Sequence, residues 1–175
     1  SVRSRTVRLY NCHNAAHLLG YLSEASLTDL ERDSTIMRGD FVGRSGVERT
    51  YEEVLRGVKG EEIFYRDARG RIQGRLDGGS HDRAPVPGRD LTLSIDAGLQ
   101  ELGERMMRGK RGAIVAIEPE TGEILALVTA PNYDPELLAG QSKGTNHRML
   151  EETFGKPLLN RAIQGHYPPG STFKP

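Results

Sequence analysis

The stretch GAIVAIEPETGEILALVTAP, residues 112–131, constrains the fold more than any other part of the chain. Two short apolar runs rich in Ile, Val and Leu flank EPETGE, whose residue types break both runs. Such runs favour pleated, half-buried backbone, and Thr121-Gly122 supplies a turn. The pattern predicts an antiparallel hairpin with Ile114, Val115, Ile117, Leu125 and Leu127 mostly buried. Strands this apolar need another layer on at least one face. Just upstream, Asp96 is placed to cap a helix through AGLQELGERMMRG, with Leu99, Leu102 and Met106 along one face. DLTLSID, before that helix, alternates as a strand.

The first half of the chain is less apolar. RTVRLY alternates as a short strand, NAAHLLGYLSEAS opens as a helix interrupted at Gly20, and SLTDLERDS reads as a short polar helix. In GRSGVERTYEEVLRG, Ser45 and Glu48 have the spacing of a capping box. Val47, Tyr51, Val54 and Leu55 fall on one helical face, and Gly57 is placed to end that helix. EEIFYRDARGRIQGRLDGG reads as an Arg-rich hairpin turning at Gly70. GGSHDRAPVPGRD is a Gly- and Pro-rich break, so the expected domains are 1–86 and 87–175. After NYDP the chain reads as loop and short helix. With 21 glycines in 175 residues and 36% apolar residues, the fold expected is α+β, rich in turns, with a modest core.

Lys plus Arg and Asp plus Glu number 24 each, so the net charge is zero, which argues against nucleic acid as a partner. Cys12 is the only cysteine and has no internal disulfide partner. No run approaches the ~18 apolar residues that span a membrane. If the protein is membrane-held, the anchor is expected outside these residues. His13 and His17 have the i, i+4 spacing of a helical metal pair. No second ligand group follows, so packing and capping explain them better and no metal site is expected. VGRSGVE lacks the last glycine of a nucleophile elbow, which leaves Ser45 as a cap. RGKRG, residues 108–112, reads as a solvated helix end where cations are favoured.

The chemically loaded residues come last, in GHYPPGSTFKP. Pro-Pro-Gly cannot continue a helix but can introduce one, and Pro175 is tolerated in a first helical turn. STFKP then opens a helix near Ser171, with Ser171 and Lys174 at i and i+3 on one face. A serine hydroxyl is a weak nucleophile until a base accepts its proton, and a partly desolvated lysine can be that base. The helix N-terminus adds partial positive charge where an oxyanion develops, and the Ser171 N–H is placed to donate to it. By spacing alone, Ser-x-x-Lys arises by chance about once in a few hundred positions of ordinary composition.

The residues around it resemble a known family. RAIQGHYPPGSTFKP is similar to the active-site serine region of class B penicillin-binding proteins. FVGRSGVERTYEEVLRGVKG resembles a segment of their pedestal domain. PVPGRDLTLSIDAGLQ and RGAIVAIEPETGEILALVTAPNYDP resemble the entry into their transpeptidase domain. The likeness is greatest to elongation-type members, with the division type as the near alternative. The resemblance implies that 1–86 are part of a non-catalytic, dimerisation-type pedestal. It implies that 87–175 begin a penicillin-binding transpeptidase domain. Ser171 would be the acylated nucleophile and Lys174 its general base, acting on D-Ala–D-Ala stem peptides and acylated by β-lactams, with no metal or organic cofactor. The partners implied are a SEDS-family glycosyltransferase and other wall-elongation proteins. The location implied is the bacterial inner membrane, facing the periplasm or extracytoplasmic space. Such proteins pair Ser-x-x-Lys with Ser-Asp-Asn and Lys-Thr-Gly. Neither occurs here, since KGT at 143–145 has the wrong order, so these 175 residues alone are expected to be inactive. Two other readings remain open: a non-catalytic docking module for elongation partners, and a β-lactam sensor or serine β-lactamase.

Overall fold

The computed structural model describes residues 13–138 and 142–173, so Cys12 and the strand expected over RTVRLY lie outside the described residues. The chain divides into two compact units, one drawn from residues 1–50 and 93–175, the other formed by Tyr51–Thr92.

In the first unit, α1 (Ala16–Leu19) ends at Gly20, whose φ of 84° favours glycine. A Cβ at Gly20 would also lie 1.9 Å from the Ser45 carbonyl oxygen. The chain then enters β1 (Leu22–Glu24), so LSE is a strand rather than a continuation of the helix. It pairs antiparallel with β2 (Phe41–Gly43), Ser23 opposite Val42. Between them α2 (Leu27–Arg32) begins with a reciprocal box. The Asp29 N–H donates to Ser26 Oγ, and the Ser26 N–H donates to the Asp29 carboxylate. Arg44 fastens these pieces together. Its guanidinium grips both Asp29 oxygens at 2.7 and 3.1 Å and donates to Ser23 Oγ and the Glu24 carbonyl.

The helix expected over 45–56 is two: α3 (Gly46–Thr50) and α4 (Glu52–Arg56), separated at Tyr51, where φ is −113° and ψ 24°. The expected apolar face is not buried as one surface. Tyr51 is exposed, and α3 instead turns Glu48 inward, packed so closely on Gly43 that a Cβ there would meet the Glu48 carbonyl at 2.0 Å.

Asp96 caps α5 (Ala97–Met106) as expected, its carboxylate accepting from the Leu99 N–H at 2.8 Å. The hairpin also forms. β5 (Gly112–Ile117) and β6 (Ile124–Ala130) run antiparallel from Gly112 opposite Ala130 to Ile117 opposite Ile124, with Gly122 at φ 77° in the turn. Two expectations fail here, the DLTLSID strand and the burial of the hairpin side chains, and the apolar face of α5 lies outward. DLTLSID forms no strand, making only spaced bonds to β6 from the Asp96 N–H and Ser94 Oγ. Leu99, Leu102 and Met106 are exposed, while Gln100 and Gly103 are the buried positions of α5. Of the five hairpin side chains only Leu127 is fully buried, and Val115 and Ile117 are 44% and 55% exposed.

One arrangement explains the α5 and β6 outcomes. Gly103 lets the helix approach until an added Cβ would lie 2.8 Å from Val128 Cγ2. That contact puts the Gln100 amide against Leu127, accepting from its N–H at 2.8 Å and donating to its carbonyl at 3.1 Å. A side chain thus pairs the β6 backbone where a neighbouring strand would. Among the described residues the sheet has two strands; β5 is half-buried at Ile114 and Ala116 and keeps an open face at Val115 and Ile117.

The apolar core of this unit is assembled from distant segments: Ala16, Tyr133, Leu138 and Leu150, with Tyr21, Leu137 and Leu158 packed against it. Leu138 ends a 3₁₀ turn over Pro135–Leu138, and Leu150 lies on α6 (Lys143–Glu152). At the start of α6 the Lys143 ammonium stands 3.6 Å from the centre of the Phe41 ring, and burial lowers its pKa.

In the second unit, β3 (Phe64–Arg66) and β4 (Ile72–Arg75) form the expected hairpin with Gly70 at φ 79°. Every residue of both strands is exposed. Antiparallel bridges from Val58 to Val86 and Glu61 to Arg83 tie its ends, and Gly57 comes too close to the Val86 carbonyl for any Cβ.

Candidate active site

The approach to Ser171 is built from β6 outward. Thr129, buried on β6, donates to Asn160 Oδ1 at 3.2 Å and accepts from the Ala162 N–H at 3.3 Å. These bonds fix the start of α7 (Arg161–Gln164) to the sheet. Arg161 is buried at 3% exposure, which is costly for a cation unless its donors are met. They are met by the carbonyls of Gly155, Lys156 and Leu159, so the guanidinium holds the loop before α7 closed. Beyond α7 the chain passes without regular structure through Pro168 and Pro169 into a 3₁₀ turn over Gly170–Phe173. Gly170 has φ 58°, and Thr172 Oγ1 donates to the Pro169 carbonyl.

Ser171 stands exposed on this turn, directly after Pro-Pro-Gly. Lys174 lies outside the described residues, so of the two expected site residues the structure places the serine. The order-reversed KGT is the first turn of α6, and its Lys143 faces Phe41.

His13 and His17 do not form a helical pair, because α1 begins only at Ala16. His13 Nδ1 donates to Asp134 Oδ2 at 2.8 Å, and that contact raises the histidine pKa. His17 Nε2 donates to the Pro157 carbonyl at 2.7 Å beside the Tyr133 ring, and burial lowers its pKa. Burial likewise pushes the Tyr133 hydroxyl up to about 12. Ligand atoms of His13, Asp134 and Glu136 come within 4.8 Å of one another. His13 and Glu136 are exposed, and hydrogen bonds within the trio account for the approach, Asp134 Oδ1 accepting from the Glu136 N–H.

The sequence reading missed the polar residues that position this region. Gln100 and Glu104 act through contacts far along the chain, whereas Arg161 gathers carbonyls of the loop just before it. Glu104 accepts from the Ala15 N–H at 2.6 Å, from Gln100 at 2.9 Å and from Asn132 at 2.7 Å. One signal was available: Gln100 lies one helical turn after the Asp96 cap, off the apolar stripe of Leu99, Leu102 and Met106.

Residues 1–93 match the family model of the penicillin-binding protein dimerisation domain, and residues 112–175 match that of the penicillin-binding protein transpeptidase domain. The peptidoglycan D,D-transpeptidase MrdA of Acinetobacter baumannii is 43% identical over 162 residues, covering 91% of this chain and 24% of its own length. The protein of the same name from Escherichia coli K12 is 38% identical over 165 residues, covering 91% of this chain and 25% of its own length. Among solved structures, Pseudomonas aeruginosa PBP2 in complex with WCK 5153 superposes with a TM-score of 0.74 at 37% identity, over 95% of this chain and 33% of that one. Helicobacter pylori PBP2, in its complex with MreC, gives a TM-score of 0.68 at 32% identity, over 86% of this chain and 28% of that one. The chain therefore spans about a quarter of the length of the curated relatives it matches. With both domain models matched in order along its length, the chain belongs to the penicillin-binding protein family.

Proposed function

We propose that this chain is part of a peptidoglycan D,D-transpeptidase that cross-links stem peptides through an acyl-enzyme on Ser171 and is acylated there by β-lactams. The observation that carries this reading is the exposed Ser171 on a turn opened by Pro-Pro-Gly, downstream of an anchored α7, inside the segment that matches the transpeptidase model. In this reading Ser171 Oγ attacks the carbonyl between two D-Ala residues and its proton passes to Lys174. The terminal D-Ala leaves, and an amine of a second stem peptide takes the acyl group. Nucleophile, base and backbone donors suffice, so no metal or organic cofactor enters the chemistry. Residues 1–86 belong to the pedestal and 87–175 to the opening of the transpeptidase domain. The whole protein is held at the inner membrane, facing the periplasm or extracytoplasmic space, with a SEDS-family glycosyltransferase and other elongation proteins as partners.

Labelling of the full-length protein with a fluorescent penicillin tests this. Ser171→Ala abolishes covalent labelling without unfolding the protein, and Lys174→Ala slows acylation by a factor on the order of 100. Labelling that survives in a folded Ser171→Ala protein would overturn the assignment. The 175-residue chain alone takes up no penicillin, because it contains neither Ser-x-Asn nor Lys-Thr-Gly. A second reading, a docking module without chemistry, is favoured by the complex that H. pylori PBP2 forms with MreC. It requires the full-length protein to stay unlabelled.

A further inference from the structure

Gly165 follows α7 with φ −71° and ψ 127°, a backbone that any residue adopts. Space, not conformation, requires glycine there. A Cβ on Gly165 would stand 2.7 Å from Cε2 of the Tyr167 ring and 2.5 Å from the Arg161 carbonyl oxygen. The Tyr167 ring is thus folded back onto the bare backbone at the end of α7. The residue is otherwise more than half exposed, and its hydroxyl makes no hydrogen bond among the described residues. Before this contact α7 is fixed. Thr129 ties Asn160 and Ala162 to β6, and Arg161 gathers the carbonyls of Gly155, Lys156 and Leu159. After the contact the chain has little freedom. Tyr167 and Pro168 each precede a proline, which keeps their backbone out of the helical region, and Pro168 and Pro169 have fixed φ. Gly170 then takes φ 58°, and the Thr172 hydroxyl closes the turn on the Pro169 carbonyl. Ser171 comes four residues after the ring, on a path with few free torsions.

We propose that Tyr167, seated on Gly165, is a positioning residue for acylation: the contact fixes where the Ser171 hydroxyl lies relative to β6. The proposal rests on Ser171 as the nucleophile and adds what holds it in place. Among the described residues the Ser171 side chain makes no hydrogen bond, so its placement comes from the backbone that carries it. With a β-lactam, Ser171 Oγ bonds to the ring carbonyl carbon as the carbon–nitrogen bond breaks, and the serine proton ends on that nitrogen. Such an attack needs the oxygen aligned with the carbonyl, and a misplacement of about 1 Å costs up to about 100-fold in rate. Tyr167 acts through the packing of its ring on Gly165, so the ring is required and the hydroxyl is dispensable. A group that only holds the nucleophile changes the rate of bond formation and leaves ligand binding alone.

Stopped-flow labelling of the full-length protein with a fluorescent penicillin separates the dissociation constant before acylation from the acylation rate constant. Tyr167→Ala removes a ring that is more than half exposed, so it opens no buried cavity. The expected result is an acylation rate constant lower by a factor of about 10–100, with the dissociation constant within about twofold of wild type. Tyr167→Phe keeps the ring and restores the wild-type rate. Gly165→Ala reaches the same contact from the other side and slows acylation as Tyr167→Ala does. Amide exchange over residues 165–173 needs no acylation, and it rises in Tyr167→Ala but not in Tyr167→Phe. An unchanged rate in Tyr167→Ala, a loss of affinity in place of rate, or equal slowing in Tyr167→Phe overturns the proposal. Labelling that survives in Ser171→Ala, or a wild type that takes up none, overturns the reading of Ser171 and the catalytic role with it. The exchange readout is separate from that failure: unchanged exchange in Tyr167→Ala shows that the ring does not hold the turn, whatever the fate of Ser171.

Discussion

Arg44 shows how much one side chain does in a thin core. It joins β1, α2 and β2 through Asp29, Ser23 and the Glu24 carbonyl, where few apolar contacts are available. The Arg44 contact, reinforced by Ser26, holds the Asp29 carboxyl well below the usual carboxylate range. Its contribution is therefore complete above the ordinary Asp pKa of about 3.9 and is lost as pH falls toward the folded-state value. Asp29→Asn should cost about 1–2 kcal/mol near neutral pH, the range for a part-exposed charged hydrogen bond. Urea denaturation should show the gap between variant and wild type closing in acid. Gly20 is a second single-residue constraint. Gly20→Ala meets both a positive φ and a carbonyl oxygen 1.9 Å from the new Cβ. Neither the backbone of Ser45 nor that of residue 20 can yield cheaply, so a loss of about 3 kcal/mol or more is expected. Thermal unfolding of this variant near the wild-type midpoint would show that the backbone at residue 20 can shift away from Ser45.

The α5–β6 pair carries its own test. Gln100 completes the backbone bonding of Leu127, and both residues are buried, so no water replaces the side chain if it is lost. Gln100→Leu keeps the volume but leaves an N–H and a carbonyl without partners, a cost of about 2–4 kcal/mol. Chemical denaturation measures the loss, and faster amide exchange at Leu127 localises it. The cap at Asp96 was legible because it is local: its carboxylate needs only the N–H three residues ahead. The Gln100 pairing was not legible, because its partner lies 27 positions away and is brought near only when Gly103 lets the helix approach Val128. The outward turn of Leu99, Leu102 and Met106 has the same cause. Periodicity marks an apolar stripe, but the side of the helix that can come closest to the strand is the one with the smallest residue.

For the molecule as a whole, the first compact unit depends on contacts that cross most of the chain. Ala16 packs on Tyr133, Ala15 donates to Glu104, and His13 and His17 reach Asp134 and Pro157. The two histidines give stability opposite pH dependences. The raised pKa of His13 stabilises the fold below the free imidazole value and is lost as pH rises through the folded value. The lowered pKa of His17 leaves stability intact above the free value and removes it as pH falls from there to the folded value. His13→Ala should thus steepen the acid loss of stability seen in denaturation between about pH 7.5 and about pH 5. A flatter profile would contradict the His13–Asp134 pairing. The sequence by itself determined the elements whose causes lie within a few residues: the capped α5, the hairpin through Thr121-Gly122, the Gly70 turn, and the Pro-Pro-Gly entry that exposes Ser171. It also carried the family likeness, since that resides in residue order. Only the tertiary structure decided which faces are buried, that residues 45–56 break at Tyr51, and that DLTLSID stays out of the sheet. Burial depends on which surfaces meet, and in this chain they come from segments 27 positions apart at Gln100 and Leu127 and as many as 140 apart at His17 and Pro157.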